Sequence, residues 1–106
     1  MTKKKVVSPS VSHDVALIED LKNNPQLAEE FLRVALAEAG EEGGDYLLQK
    51  TLQLVAQARG IAKVAKSAGI PRESLSRALS ERGNPRLSTL QAVTAALGLK
   101  LTVTHI

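Results

Sequence analysis

The chain has no cysteine and no tryptophan, and only one tyrosine, one phenylalanine and two histidines in 106 residues. Without cysteine there is no disulfide framework, no thiolate zinc site and no cysteine nucleophile, which fits a reducing compartment. His13 and His105 lie near opposite ends, and neither a glycine-rich phosphate loop nor paired acids at helical metal-ligand spacing accompany them. Neither catalysis nor a metal or other cofactor is therefore expected. Single-stranded nucleic-acid platforms stack bases on aromatic rings, and Phe31 and Tyr46 are too few and lie outside the basic part of the chain, so duplex DNA is the better polymer. Long apolar runs are missing as well. The basic start through Lys3, Lys4 and Lys5 is followed by only Val6 and Val7 before Ser8-Pro9, so neither a signal peptide nor a membrane span is expected, and the protein reads as cytoplasmic and bacterial. At this length one domain with a small core is expected, one that dimerisation would help to stabilise.

Charge of one sign is scarce in each half. Residues 6–58 carry Lys22, Arg33 and Lys50 against nine acidic side chains, a net of −6. Residues 59–106 carry eight basic side chains against Glu73 and Glu81, a net of +6. A basic half suits a phosphate backbone; an acidic half is repelled by one and suits a basic protein, or is an ordinary solvated face.

Within the basic half, Ala65-Lys66-Ser67-Ala68-Gly69-Ile70-Pro71-Arg72-Glu73-Ser74-Leu75-Ser76-Arg77-Ala78-Leu79 has the spacing of two short helices crossing at a tight turn. Ala65 permits close approach, Gly69 supplies the positive φ that ends the first helix, and Ile70, Leu75 and Ala78 fill the angle between them. Arg72, Glu73, Ser74, Ser76 and Arg77 point outward and are short or hydrogen-bonding, as the exposed face of a recognition helix in the major groove must be. The pattern reads as a DNA-binding helix-turn-helix. A structural helical corner with a solvated charged face is the alternative.

Elsewhere the chain divides into a mobile basic arm over residues 1–11 and a helical domain over 12–106. Acidic helices occupy residues 12–40, the helix-turn-helix core 45–98 and a strand 99–104. A helix over 12–23 places Val15, Ile18 and Leu21 on one side. Asn24 caps the next, Pro25 opens it, and Leu27, Phe31, Val34 and Ala35 form its apolar face up to Gly40. After the 41–44 loop, Asp45 caps a third helix that buries Leu48, Leu52 and Val55 until Gly60. The fourth helix spans 61–68. The fifth begins at Pro71 and ends near Arg82, before Gly83-Asn84-Pro85. The capping-box pattern Ser88-Thr89-Leu90-Gln91 opens the last, which buries Leu90, Val93 and Leu97 and stops at Gly98. From Leu99 to Thr104 apolar and polar residues alternate, which reads as a strand, or as an irregular tail with Leu99 and Leu101 tucked into the core. A lone strand needs a partner, so Leu99, Leu101 and Val103 are expected at a dimer interface.

These runs are similar to those of the antidote proteins of toxin-antitoxin addiction modules, the HigA-type branch of the Cro/C1-type helix-turn-helix repressors. Arg59-Gly60-Ile61, Gly69-Ile70-Pro71-Arg72-Glu73-Ser74-Leu75, the Ala78 to Pro85 run and the Ala96 to Leu101 run carry the resemblance, which reaches back weakly to Asp20. It implies an all-α bundle of about six helices with a lambda-repressor-like helix-turn-helix and a short C-terminal β-strand. It also implies an antitoxin that neutralises a toxin of the RelE or ParE fold by direct contact and represses its own operon as a dimer on duplex DNA. Positions one, two and six after the turn read bases in related repressors; here they are Arg72, Glu73 and Arg77, matching guanine or, for Glu73, cytosine N4. Glu73 alternatively serves only the helix dipole. Ser74, Asn84 and Arg86 would hold the backbone, with Lys63 and Lys66 adding charge. The chain departs from the family where Ala62-Lys63 replaces the usual Ser or Thr then Gln, where Ser76 replaces a common Tyr, and where Pro71 replaces Ser, so no operator sequence carries over. A stand-alone phage-type or housekeeping repressor with no toxin is the rival reading; a protein adaptor would not need the basic half.

Overall fold

The computed structural model describes residues 11–80 and 84–106, which form six α-helices: α1 Val11–Asn23, α2 Pro25–Ala37, α3 Gly44–Arg59, α4 Ile61–Ala68, α5 Arg72–Ser80 and α6 Leu87–Ala96. The helices sit where the sequence punctuation puts them. Asn24 caps α2, its Oδ1 accepting from the Leu27 amide at 3.3 Å, and Pro25 opens the helix. Glycine with positive φ follows α4 at Gly69 (72°) and α6 at Gly98 (76°). In both places the amide after the glycine reaches back five residues: Ile70 N–H to the Ala65 carbonyl at 3.1 Å, and Leu99 N–H to the Thr94 carbonyl at 2.8 Å. These are Schellman stops, which need the left-handed residue that glycine adopts without strain.

The helix α3 is the axis of the molecule. Every other helix packs on it, whereas among the described residues α1 and α2 make no packing contact with α4, α5 or α6. Leu52 and Val55 of α3 are wholly buried and join one core with Leu32 of α2, Val64 of α4, Leu75 of α5 and Val93 of α6. Lys50 of α3 and Asp14 of α1 form a half-buried ion pair at 2.8 Å, tying α1 to the axis. At the other end Arg59 Nε donates to the Ala96 carbonyl at 3.1 Å, giving the end of α6 a partner.

Several expectations need correction. The described part of the chain is all-helical, and the strand over 99–104 does not form. Leu99 instead completes the Schellman stop of α6 and packs against the core, Leu101 is half-buried, and Val103 is 95% exposed. The irregular-tail alternative holds, because no other extended segment among the described residues offers a ladder to alternate against. Asp45 is not a cap: α3 starts one residue earlier, after Gly43 in the left-handed region, and Asp45 sits in the first turn, where its carboxylate still faces the positive helix end. Ser88 is likewise inside α6, whose N-cap Arg86 makes no side-chain cap bond.

The helix phases shift too. On α2 the buried residues are Ala28, Leu32 and Ala35, leaving Val34 53% exposed and Leu27 and Phe31 half-buried; on α1 Val15 is exposed and Leu17 packs inward. Small alanines let α2 approach α3 closely, which displaces the larger stripe sideways. Residues 1–10, including most of the expected arm, and 81–83, including Gly83 and the expected helix end near Arg82, lie outside the described residues; Val11 is the first residue of α1.

Candidate nucleic-acid interface

The second helix of the proposed motif is presented by burial of one side only. Leu75 and Leu79 of α5 are buried, while Arg72, Glu73, Ser76 and Arg77, spaced by one, four and five residues, form a continuous exposed face. Ser74 and Ala78 lie on the flank turned toward α6 and are half-buried. There Ser74, Arg77 and Arg86 line one groove of about 640 Å³, with Ile70 from the turn and Gln91 from α6. Asn84 is exposed in the connection between α5 and α6, and Lys63 is exposed on α4. Three of the expected residues thus share a groove; Arg72 and Glu73 are exposed on the same helix outside it, Ser76 lines a second groove with Gln53, Gln57 and Ile61, and Lys63 stands apart on the preceding helix.

None of Lys63, Lys66, Arg72, Arg77 and Arg86 has an ion-pair partner among the described residues, nor does Glu73. Their charges remain available to an external partner. Arg59 differs: counted with the basic half in the sequence, it is committed to α6.

Sequence reasoning missed the device that fixes the far end of α5. Gln49 of α3, buried, donates from Nε2 to the carbonyls of Ala78 (3.2 Å) and Leu79, and Gln53, one turn on, donates to Leu79 at 2.5 Å. Ser80 Oγ donates to the Arg77 carbonyl at 3.0 Å. These side chains bind the last described turn of α5 to α3. Gln49 Oε1 faces no donor, which fixes the amide orientation: turned over, it would set oxygen against two carbonyls. The signal was present as Gln49, Gln53 and Gln57, a polar row at four-residue spacing along α3.

Among the described residues no group of three or more His, Asp or Glu is placed to hold a metal ion, and no helix is long and apolar enough to cross a membrane. Fold and face together define a small all-α protein with acidic and basic ends on a shared central helix. The family model described as probable addiction module antidote protein matches residues 13–105, and the chain belongs to that family. A Haemophilus influenzae (strain Rd) protein described as uncharacterized is 38% identical over 76 residues, covering 72% of this chain and 78% of its own length. No solved structure matches the chain. An addiction-module antidote counteracts a toxin, so membership supplies the antitoxin role and a toxin partner in general terms.

Proposed function

We propose that the protein is the antitoxin of a type II module, related to the HigA type, which binds a protein toxin of RelE or ParE fold directly and represses its own operon by sequence-specific binding to duplex DNA. The observation that carries the DNA half is the exposed, unpaired face of α5. Arg72 and Arg77 stand ready for guanine O6 and N7, and Glu73 for cytosine N4, on a helix gripped at its far end by Gln49 and Gln53. Ser74, Ser76, Asn84 and Arg86 position the phosphates, and Lys63 adds sequence-independent attraction. One short helix covers too little DNA for useful specificity, so the protein acts as a homodimer on two half-sites about one helical turn apart, with the C-terminal segment around Leu99, Leu101 and Val103 near the two-fold but without strand pairing. The acidic helices, residues 14–39, take part in toxin binding through charge complementarity. The protein works in the bacterial cytoplasm and performs no catalysis of its own. Family membership favours this reading over a stand-alone repressor.

The test has two arms. Fluorescence anisotropy with the protein's own promoter duplex and with random duplex should show a marked preference for the promoter and a steep loss of affinity with salt; equal binding to both DNAs would remove the repressor half. Expression of the product of the adjoining small reading frame should arrest growth, and co-expression of this chain should restore it. Growth arrest that this chain does not relieve would remove the antitoxin half.

A further inference from the structure

A strongly apolar concavity lies on the side of α3 that carries α1 and α2, away from the basic face. Between α1, α2 and α3 runs a groove of about 520 Å³, floored by Leu17, Phe31 and Leu54 and opening at one end onto Val34, Tyr46 and Leu47. Those last three are 53%, 66% and 39% exposed, an unusual set of large apolar side chains to leave in water at neighbouring positions. This is where the displaced stripe of α2 went: Leu27, Phe31 and Val34 recur at helical spacing beside the alanine seam and line this groove, Leu27 and Phe31 also packing against the core. The connection from the end of α2, which carries Val34, to the start of α3, which carries Tyr46 and Leu47, holds Glu38, Glu41, Glu42 and Asp45, all exposed and none paired with a cation among the described residues.

We infer that this groove is the toxin-docking site and that its occupant is an amphipathic helix of the toxin, with an apolar face for Phe31, Val34 and Leu47 and Lys or Arg along its rim for the four acidic residues. The inference rests on the antitoxin reading above and names the partner surface. The charge pattern selects this occupant. A second copy of this chain would bring two such acidic clusters together, which repels. Among the described residues there is no sheet edge to which a strand could add, whereas a trough between packed helices accepts a helix through anchors spaced by one turn.

Isothermal titration of the full chain with the product of the adjoining reading frame tests this, using Val34→Glu and Leu47→Glu. Both side chains are exposed, so thermal unfolding followed by circular dichroism should be unchanged; Val15→Glu, at a 59% exposed position of α1 outside the groove lining, serves as the control. Each groove variant should weaken binding by about thirtyfold or more, as loss of a central interface anchor does, and the control should bind like wild type. Tight binding by the wild type and both groove variants alike would overturn the groove while leaving the antitoxin reading in place. An adjoining product that neither arrests growth nor binds the wild type would take down the reading and the groove's occupant together. Tyr46 is the only tyrosine in a chain without tryptophan, so its quenching by acrylamide reports the groove when no toxin is present. Quenching that increases when residues 2–10 are removed would place this chain's own N-terminal segment in the groove. A sedimentation mass that falls in Val34→Glu would place a second copy there. Either outcome overturns the proposal.

Discussion

The two ends of this molecule handle charge and apolar surface in opposite ways. At the acidic end, two of the three cations are tied up internally: Arg33 pairs with Glu29 and Glu30, and Lys50 with Asp14, while large apolar side chains remain open along a groove. At the basic end, the short helices bury Leu75, Leu79, Val64 and Val93 and leave Arg72, Arg77 and Arg86 without an ion-pair partner among the described residues. One end is built to offer apolar contact inside an acidic frame, the other to offer positive charge on a rigid helix. Neither end packs on the other; each packs on α3. A face whose charges were satisfied internally would gain little from a charged partner, so the location of the unpaired groups indicates what each end meets.

The largest effect should come from α3, where the ends share a core. Leu52 is 0% exposed, and Leu52→Ala should cost about 2–5 kcal/mol, a large share of the stability of a domain this small. Because both ends lean on the same helix, urea unfolding of wild type and variant should remain a single transition by circular dichroism and by Tyr46 fluorescence. Two separated transitions would mean that the ends fold independently and that α3 belongs to only one of them.

How much of this the sequence disclosed follows from which forces are local. Helix count and limits were legible because the stops are local: Asn24-Pro25, Gly69 and Gly98 act through their own φ angles and capping bonds. The inward face of α2 was not. Two stripes, Ala28-Leu32-Ala35 and Leu27-Phe31-Val34, lie side by side, and only the close approach to α3 chooses the smaller one. Alternation from Leu99 to Thr104 misled because a strand exists only with a partner, and the stop at Gly98 had already committed Leu99 to the core. In the candidate interface, exposure of Arg72 and Arg77 followed from period alone. The row Gln49, Gln53 and Gln57 marked a polar stripe on α3, but the partner of Gln49 lies about thirty positions away on α5, which local spacing does not reveal.

Next in size are the arginines of α5. Arg72→Ala and Arg77→Ala should each lower affinity for the operator by about 1–3 kcal/mol and for random duplex by much less, with unfolding unchanged because both are exposed and make no internal bond that the substitution removes. Equal losses on both DNAs, measured by anisotropy, would demote them to phosphate contacts. Gln49→Leu sharpens the comparison from the other side. It removes the Gln49 bonds to the Ala78 and Leu79 carbonyls together with the unpartnered Oε1, so the stability cost should stay at about 1 kcal/mol. Amide exchange at the end of α5 should quicken and operator affinity should fall, while growth rescue persists. Unchanged exchange there would show that Gln53 alone holds the helix.

The smallest expected effect is that of Lys63→Ala, and it separates field from contact. Lys63 is exposed on α4, without an ion-pair partner among the described residues, and away from the groove that collects Ser74, Arg77 and Arg86. If it contributes only to attraction of the phosphate backbone, its loss should weaken operator and random duplex alike, and the slope of log affinity against log salt should flatten by about one unit or less, as expected for one phosphate contact removed. Nothing should change at the acidic end, because α4 packs on α3, α5 and α6 and not on α1 or α2. A loss confined to the operator would instead make Lys63 a sequence-reading residue and extend the specific interface from α5 back across the turn at Gly69 to α4.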